Sequence, residues 1–434
     1  MLVVPVSPAW ATSVSGTLDP TFGGDGTVLA DGSGSGKSDE AADVVVAPDG
    51  KIVAVGYSLV RPLGEEEGDQ PDYDFVVARY NPDGSLDSTF GAGGVVQTTF
   101  GGTQSRDEAK AVALQPDGKI VVAGSTDRDL EDGSHFALAR YNPDGSLDTT
   151  FGDGGLVVAQ PSTFTIDTVE GMAIQENGRI VVVGSSDALA GGSDFDFAVM
   201  RFMPGGALDT SFGAGGKVLT SFNTGRSLDT AKAVAIQSNG RIVVAGISNA
   251  GGSDDFAVTR YNRDGTLDAT FGTGGKVLTD LGGLHGVDRA SAVALQANGK
   301  IVVAGSGGGF SLVRYLRDGT LDPTFGTGGF VNTPLDGRPL AVAVQLDGRI
   351  VAAGVSWPAP FSTDYNFTLI RYNRNGTLNT SFGDGGKVTT DFSGSGSHDQ
   401  LNALAIQPDG GIVAAGSSYS PGHQNDFALA RYLP

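Results

Sequence analysis

Six aspartates recur along the chain, and each lies a few residues before an apolar segment that recurs with it. An aspartate at such a position often caps a turn through its side-chain oxygens. A ring of carboxylates would also attract a cation such as Ca²⁺, which takes oxygen ligands. The sequence leaves both roles open, and Gly337 interrupts the series. The candidate metal ligands are Asp39, Asp107, Asp167, Asp229, Asp288 and Asp399.

A second candidate site combines aromatic rings with polar groups. The segment 355–366 (VSWPAPFSTDYN) carries aromatic residues where other repeats have Gly, Ser and Asp. Exposed aromatics beside a carboxylate and an imidazole would suit a sugar, a peptide or a small planar ligand. The alternative is that this segment folds its rings onto the strands it connects. The predicted ligand-binding residues are Trp357, Phe361, Tyr365, His398, Asp399, Tyr419 and His423.

Catalysis is the alternative to a non-catalytic binding module. The chain has no cysteine, and it shows no nucleophile motif, phosphate loop or paired-histidine metal motif. Acid–base chemistry by His398, His423 and nearby aspartates would suit a lyase or a glycoside hydrolase, with a divalent cation as an optional partner. We assign no catalytic residue from the sequence.

Three short strings recur seven times and define the elements that must position these residues. One is Leu-Asp-x-(Thr/Ser)-Phe-Gly, with Asn379 in place of Asp in its last copy; the second contains Gly-(Lys/Arg/Gly)-Ile-Val, and the third Arg-(Tyr/Phe). The Arg and the Asp of each repeat should meet at one end of the unit, where we predict a clamp that fixes the long turn. Seven copies of one unit indicate a repeat fold.

Each unit reads as four short strands. In one repeat these are 111–115, 119–124, 135–141 and 155–159, joined by Pro-Asp-Gly and Asn-Pro-Asp-Gly turns. No segment shows useful helical periodicity. We therefore predict an all-β, seven-bladed β-propeller with four-stranded antiparallel blades. The strand near 26–30 should complete the last blade and close the ring, which leaves no open sheet edge.

Composition narrows the partners. The 434 residues carry a formal charge of −21, which disfavours nucleic acid, and no apolar run is long enough to cross a bilayer. We expect a monomer that binds a glycan, a protein or a peptide, without insertion into a membrane.

The strings AVALQPDGKIVVAGS and RYNPDGSLDTTFGDGG resemble the delta-sixty repeat of bacterial surface and secreted proteins, and more distantly the NHL-type propeller repeat. The resemblance covers about 18–432. It implies a β-propeller and an exported bacterial protein, hence an extracellular or cell-surface location. It carries no shared catalytic residues.

The N-terminal residues 1–16 are interpreted as a signal-peptide remnant or an extension, and 17–434 as one propeller. The string MLVVPVSPAWA is apolar and ends in a sequence that resembles a signal-peptidase site, but it lacks a basic start.

Overall fold

The computed structural model describes residues 14–31, 36–62, 71–101, 105–127, 133–162, 166–187, 194–282, 287–358, 364–394, 397–419 and 424–434. These residues form seven four-stranded antiparallel sheets arranged as the blades of a propeller, which confirms the predicted fold class. No helix that is long and apolar enough to cross a membrane occurs among them.

The strands are numbered in chain order. The first is β1 (Thr27–Ala30). Blade 1 contains β2 (Asp39–Val46), β3 (Ile52–Arg61), β4 (Asp72–Tyr80) and β5 (Val95–Thr98). Blade 2 contains β6 (Glu108–Leu114), β7 (Ile120–Thr126), β8 (His135–Tyr141) and β9 (Leu156–Ala159). Blade 3 contains β10 (Asp167–Ile174), β11 (Ile180–Asp187), β12 (Phe195–Phe202) and β13 (Lys217–Thr220). Blade 4 contains β14 (Asp229–Ile236), β15 (Ile242–Ser248), β16 (Asp255–Tyr261) and β17 (Lys276–Thr279).

Blade 5 contains β18 (Arg289–Leu295), β19 (Ile301–Ser306), β20 (Phe310–Tyr315) and β21 (Phe330–Thr333). Blade 6 contains β22 (Gly337–Val344), β23 (Ile350–Ser356), β24 (Asn366–Tyr372) and β25 (Lys387–Thr390). Blade 7 contains β26 (His398–Ile406), β27 (Ile412–Tyr419) and β28 (Asp426–Tyr432), with β1 as its outermost strand.

The N-terminal strand closes the ring, as predicted. Strand β1 pairs antiparallel with β28, from Thr27 opposite Ala430 to Ala30 opposite Phe427. Residues 14–16, which the sequence assigned to a remnant or extension, also contact the propeller: the carbonyl of Ser15 accepts the Gly383 N–H. In other blades the corresponding glycine N–H donates to the turn of the following blade, as Gly91 N does to Asp144 O. Ser15 takes the place of that turn at Gly383.

The outermost strands are short and follow the Leu-Asp-x-Thr-Phe-Gly string. In blade 2 that string forms a turn that joins the sheet through an isolated bridge between Leu147 and Tyr141. The outer strand is β9, so the prediction of a strand at 155–159 was nearly right. The string itself is not a strand, because its backbone forms turn hydrogen bonds such as that from Phe151 N to Asp148 O.

Each innermost strand carries a β-bulge, and a glycine of the second strand makes room for it. In blade 3 the register shifts between Val169 and Gly171, opposite Gly184. A Cβ on Gly184 would lie 1.7 Å from the Thr168 carbonyl oxygen, which no side chain tolerates. This close approach explains the glycine that ends the recurring Ile-Val-(Val/Ala)-(Ala/Val)-Gly run.

The apolar core is divided into layers between neighbouring blades. One layer packs Val53, Val55 and Phe75 of blade 1 against Ile120 and Val122 of blade 2. Both faces of the middle strands are covered in this way, which is why those strands read as nearly continuous apolar runs. We call each interface between adjacent blades a seam.

In six of the seven blades an arginine of the third strand links the blade to the next. Arg140 Nε lies 2.8 Å from Asp148 Oδ2, and its guanidinium sits over the Phe151 ring, 4.6 Å from the centroid. Its Nη1 donates to the carbonyl of Pro204, in the turn of blade 3. The arrangement confirms the predicted clamp. The corresponding pairs are Arg79–Asp87, Arg201–Asp209, Arg260–Asp268, Arg314–Asp322 and Arg431–Asp19.

Removing one clamp arginine should destabilise the propeller strongly. Arg260 is 3 % exposed, and Arg260→Ala would leave the Asp268 carboxylate, 2.7 Å away, without its buried partner. We expect a loss of about 3–5 kcal/mol in the free energy of unfolding, measured by denaturant titration. Arg241→Ala is the control, because Arg241 contacts the same carboxylate at 3.1 Å from a side chain that is 37 % exposed. It should cost less than about 1 kcal/mol; equal losses would contradict the clamp as the stabilising contact.

Blade 6 offers the reverse test. Its arginine, Arg371, donates to the neutral side chain of Asn379 at 3.0–3.1 Å instead of to a carboxylate. Asn379→Asp should stabilise the protein by about 1 kcal/mol, because a hydrogen bond to a charged acceptor is stronger than one to an amide. A higher denaturation midpoint with an unchanged denaturant slope would be the result expected; a lower midpoint would contradict it.

Candidate functional site

One face of the propeller carries the candidate residues. Innermost strands begin and outermost strands end at this face, and the links between second and third strands open on it too. We call it the mouth face. The arginine clamps lie at the opposite face, beside the Asn-Pro-Asp-Gly turns.

The six aspartates of the predicted ring are buried at the mouth face, with exposures of 0–1 %. The carboxylates of Asp107, Asp229, Asp288 and Asp399 each accept a backbone N–H from the link that enters their own blade. The Phe100 N–H donates to Asp107, and the Phe392 N–H donates to Asp399, both at 2.8 Å. These contacts show the turn-capping role that the sequence allowed. Calcium binding by the ring stays a prediction.

In the part of the chain that the structure describes, one group of three acidic side chains has ligand atoms that would fit around one ion. Only one of the six ring aspartates belongs to this group. This group consists of Asp255, Asp280 and Asp288, and we call it the acid cluster. Sequence reasoning found Asp288 but missed the other two. A comparison of the repeats does not single out Asp280, because Asp31 and Asp391 occupy the same position after other outermost strands.

Burial shifts several of these carboxyl groups toward the protonated form. It raises the pKa of Asp167 to about 7. Burial, together with the neighbouring carboxylates of Asp229 and Asp194, raises the pKa of Asp196 to about 6. The clamp aspartates behave in the opposite way. Burial opposes ionisation of Asp209, but hydrogen bonds from Ser211 and the charge of Arg201 lower its pKa to about 2.

These opposed shifts predict a stability maximum in mildly acidic solution. A raised folded pKa gives stability that is complete below about pH 4 and is lost as the pH rises through about 6–7. A lowered folded pKa gives stability that is present above about pH 4 and is lost as the pH falls toward about 2. The melting temperature should therefore be highest at about pH 4–5. In the variant Asp196→Asn, the decrease in melting temperature between that maximum and pH 8 should be smaller. A melting temperature that rises steadily from pH 4 to pH 8 would contradict the assignment.

Four aromatic side chains form a continuous line across the seam between blades 6 and 7. The ring centroids of Trp357 and Tyr365 are 5.8 Å apart, those of Tyr365 and His398 5.3 Å, and those of His398 and Tyr419 5.7 Å. All four side chains are partly exposed. We call this line the aromatic row; it brings together four of the seven residues predicted for ligand binding.

Strand pairing explains the row. Trp357 directly follows Ser356 of β23, and Tyr419 directly follows Ser418 of β27. These are corresponding positions at the ends of the second strands of blades 6 and 7. Tyr365 forms a parallel bridge with His398 across the seam. The links at the mouth face therefore place side chains from two blades side by side.

The other three predicted residues are not part of the row. Asp399 is fully buried, with Oδ2 accepting the Phe392 N–H and Oδ1 accepting the Ser418 hydroxyl at 2.5 Å. Both oxygens are thus engaged, so Asp399 does not form an acid–base pair with His398. Phe361 and His423 lie outside the described residues.

At the corresponding position in blade 1, an arginine of the same chain lies over the aromatic ring. Tyr73 is placed as Tyr365 is, and it pairs with Arg106 where Tyr365 pairs with His398. The Arg106 guanidinium covers the Tyr73 ring, 5.6 Å from its centroid. Among the described residues, no lysine or arginine lies over any ring of the aromatic row.

The central channel contains a cavity of about 400 Å³. Charged side chains in its wall are already paired: Lys232 Nζ lies 2.5 Å from Glu170, and Glu40 accepts the Tyr57 hydroxyl at 2.7 Å. Asp43, whose pKa burial raises to about 6, accepts the N–H groups of Val44 and Val112. These carboxylates are held by the scaffold.

The ring of seven four-stranded blades with variable links on one face defines the class as a β-propeller. More narrowly, the chain belongs to the family described as "Domain of unknown function (DUF5122) beta-propeller", whose repeats match 47–90, 115–151, 175–212, 237–271, 296–325, 345–382 and 407–434. No curated protein is significantly similar to the chain in sequence.

Several solved structures share the fold. A catalytically inactive virginiamycin B lyase from Staphylococcus aureus, solved with quinupristin, is 8 % identical with a TM-score of 0.50, over 93 % of this chain and 98 % of the other. A protein of unknown function from Dyadobacter fermentans is 14 % identical (TM-score 0.48, 94 % and 97 %). The α-L-arabinofuranosidase Arb93A from Fusarium graminearum is 10 % identical (TM-score 0.43, 91 % and 92 %). At these identities the likeness concerns the fold alone.

Proposed function

We propose that the protein is a non-catalytic binding module and that its ligand contacts the aromatic row. The observation that carries this proposal is the contrast between two corresponding positions. Both rings are partly exposed, but Arg106 of the same chain lies over the Tyr73 ring, whereas among the described residues no lysine or arginine lies over Tyr365.

The chemistry of the row favours a carbohydrate. Trp357 and the two tyrosines combine apolar ring faces with an N–H or O–H at the edge, and His398 adds ring nitrogens. Apolar faces suit the C–H groups of a sugar, and the edge groups suit its hydroxyls. The formal charge of −21 disfavours anionic ligands, so a neutral glycan is the better match.

An exported location fits this role. The resemblance to repeats of bacterial surface and secreted proteins supports an extracellular or cell-surface protein, where glycans are accessible. A protein or peptide ligand on the same row is the alternative that the experiment must separate.

A glycan array tests the proposal directly. The purified protein should bind a subset of neutral glycans, and Trp357→Ala should weaken that binding by at least about 30-fold, because loss of an anchoring aromatic typically costs about 2 kcal/mol or more. Titration calorimetry with the best glycan would measure the change. The array should be run with calcium and with a chelator, so that a metal requirement is seen separately.

Tyr73→Ala is the matched control. It removes an aromatic ring from the corresponding position of blade 1, where the ring is already covered, and it should leave glycan affinity unchanged. Equal losses in Trp357→Ala and Tyr73→Ala would contradict the aromatic row as the site. Absence of binding to every glycan would leave a protein or peptide as the ligand.

A further inference from the structure

The acid cluster lies at the seam between blades 4 and 5, away from the aromatic row. Asp255 begins β16, Asp280 follows β17, and Asp288 directly precedes β18. One ligand oxygen from each of the three lies within 4.8 Å of the others. Oxygens that are each about 2.4 Å from one Ca²⁺ ion cannot be more than about 4.8 Å apart, so this spacing permits a shared ion.

The seam between blades 3 and 4 shows how the same position is arranged without a third acid. There Asp196 and Asp229 correspond to Asp255 and Asp288. Ser227 donates its hydroxyl to Asp229 at 2.9 Å, and Ser221 stands at the position of Asp280. Burial raises the pKa of Asp196, and the charge of Lys276, which donates to the Ser221 carbonyl at 2.7 Å, opposes that rise. Hydroxyl groups and a lysine therefore offset two carboxylates.

The seam between blades 4 and 5 lacks the serine and the lysine at the positions of Ser221 and Lys276. Asp280 replaces the serine, and Phe330 stands at the start of β21 where Lys276 starts β17. Gly307 occupies the position of Ser248 and of Ser418, whose hydroxyl donates to Asp399. Among the described residues, no lysine or arginine forms an ion pair with any member of the acid cluster.

Asp288 is left with an oxygen that lacks a donor. Asp288 is 1 % exposed, and its Oδ2 accepts the Leu281 N–H at 2.6 Å. Oδ1 has no hydrogen-bond partner among the described residues. Asp107, Asp167 and Asp229 also keep one such oxygen, but hydroxyl groups donate to their other oxygen, whereas Oδ2 of Asp288 accepts a backbone N–H, that of Leu281. A buried carboxylate in this situation is stabilised either by a proton or by a counter-charge.

We propose that the acid cluster binds one Ca²⁺ ion. The donors are all oxygens, which excludes the softer metals that prefer nitrogen or sulfur. Two donors are buried and Asp280 is exposed, so water has access to complete the six to eight ligands that Ca²⁺ takes. The site is local to one seam and does not require the ring of six aspartates around the channel.

Calorimetric titration of CaCl₂ into chelator-treated protein tests the proposal. The wild-type chain should bind one Ca²⁺ with a dissociation constant of about 10⁻³ M or tighter, the range of extracellular calcium modules. Asp280→Ser should weaken binding at least ten-fold. Because Ser221 already occupies this position in another seam, the variant should fold, and a circular dichroism spectrum unchanged without calcium would verify that.

Asp391→Ser is the matched control. Asp391 corresponds to Asp280 in the seam between blades 6 and 7, but Asn366 replaces the acid of β16 there, so this seam lacks the third carboxylate. Calcium affinity should be unchanged in this variant. Equal weakening in both variants, binding that survives Asp280→Ser, or no binding by the wild-type chain would overturn the proposal. Each of these results is independent of glycan binding by the aromatic row.

Discussion

The contact on which the rest of the structure depends is the buried arginine of the third strand. In one side chain it neutralises an aspartate of its own blade, covers a phenylalanine and donates to a carbonyl of the next blade, as Arg140 does with Asp148, Phe151 and Pro204. An arginine is suited to this role because its planar fork makes several hydrogen bonds while keeping its charge. Repetition of the contact fixes the spacing of the blades from one face.

Anchoring at that face leaves the mouth face free to vary. The links there need only reach from one core strand to the next, and a buried aspartate such as Asp107 or Asp399 caps the entry to the blade. Side chains beyond the cap contact the neighbouring blade rather than the core. Their replacement therefore changes the surface chemistry of one seam with little effect on the ring.

The two candidate sites arise from this arrangement in different ways. In the aromatic row, rings are added beyond the caps of blades 6 and 7, and the cap itself, Asp399 with Ser418, is unchanged. In the acid cluster the cap is altered, because a hydroxyl donor gives way to Asp280 and the neighbouring lysine to Phe330. The first change creates an apolar surface with polar edges. The second creates an uncompensated negative charge, which is why a neutral ligand suits one and a cation the other.

The sequence by itself determined the blade count, the strand order, the closure by β1 and the arginine clamp. It could do so because the same local pattern occurs seven times and because strand periodicity is a local property of the sequence. It also placed Trp357, Tyr365, His398 and Tyr419 in one neighbourhood. Only the tertiary structure decided that these four rings touch in a line, that Asp399 points into the blade instead of joining them, and that Asp255 and Asp280 meet Asp288. Contacts across a seam depend on how two separate sheets pack and on which way each side chain points. No local sequence pattern indicates these contacts, because the residues that form them are distant in sequence.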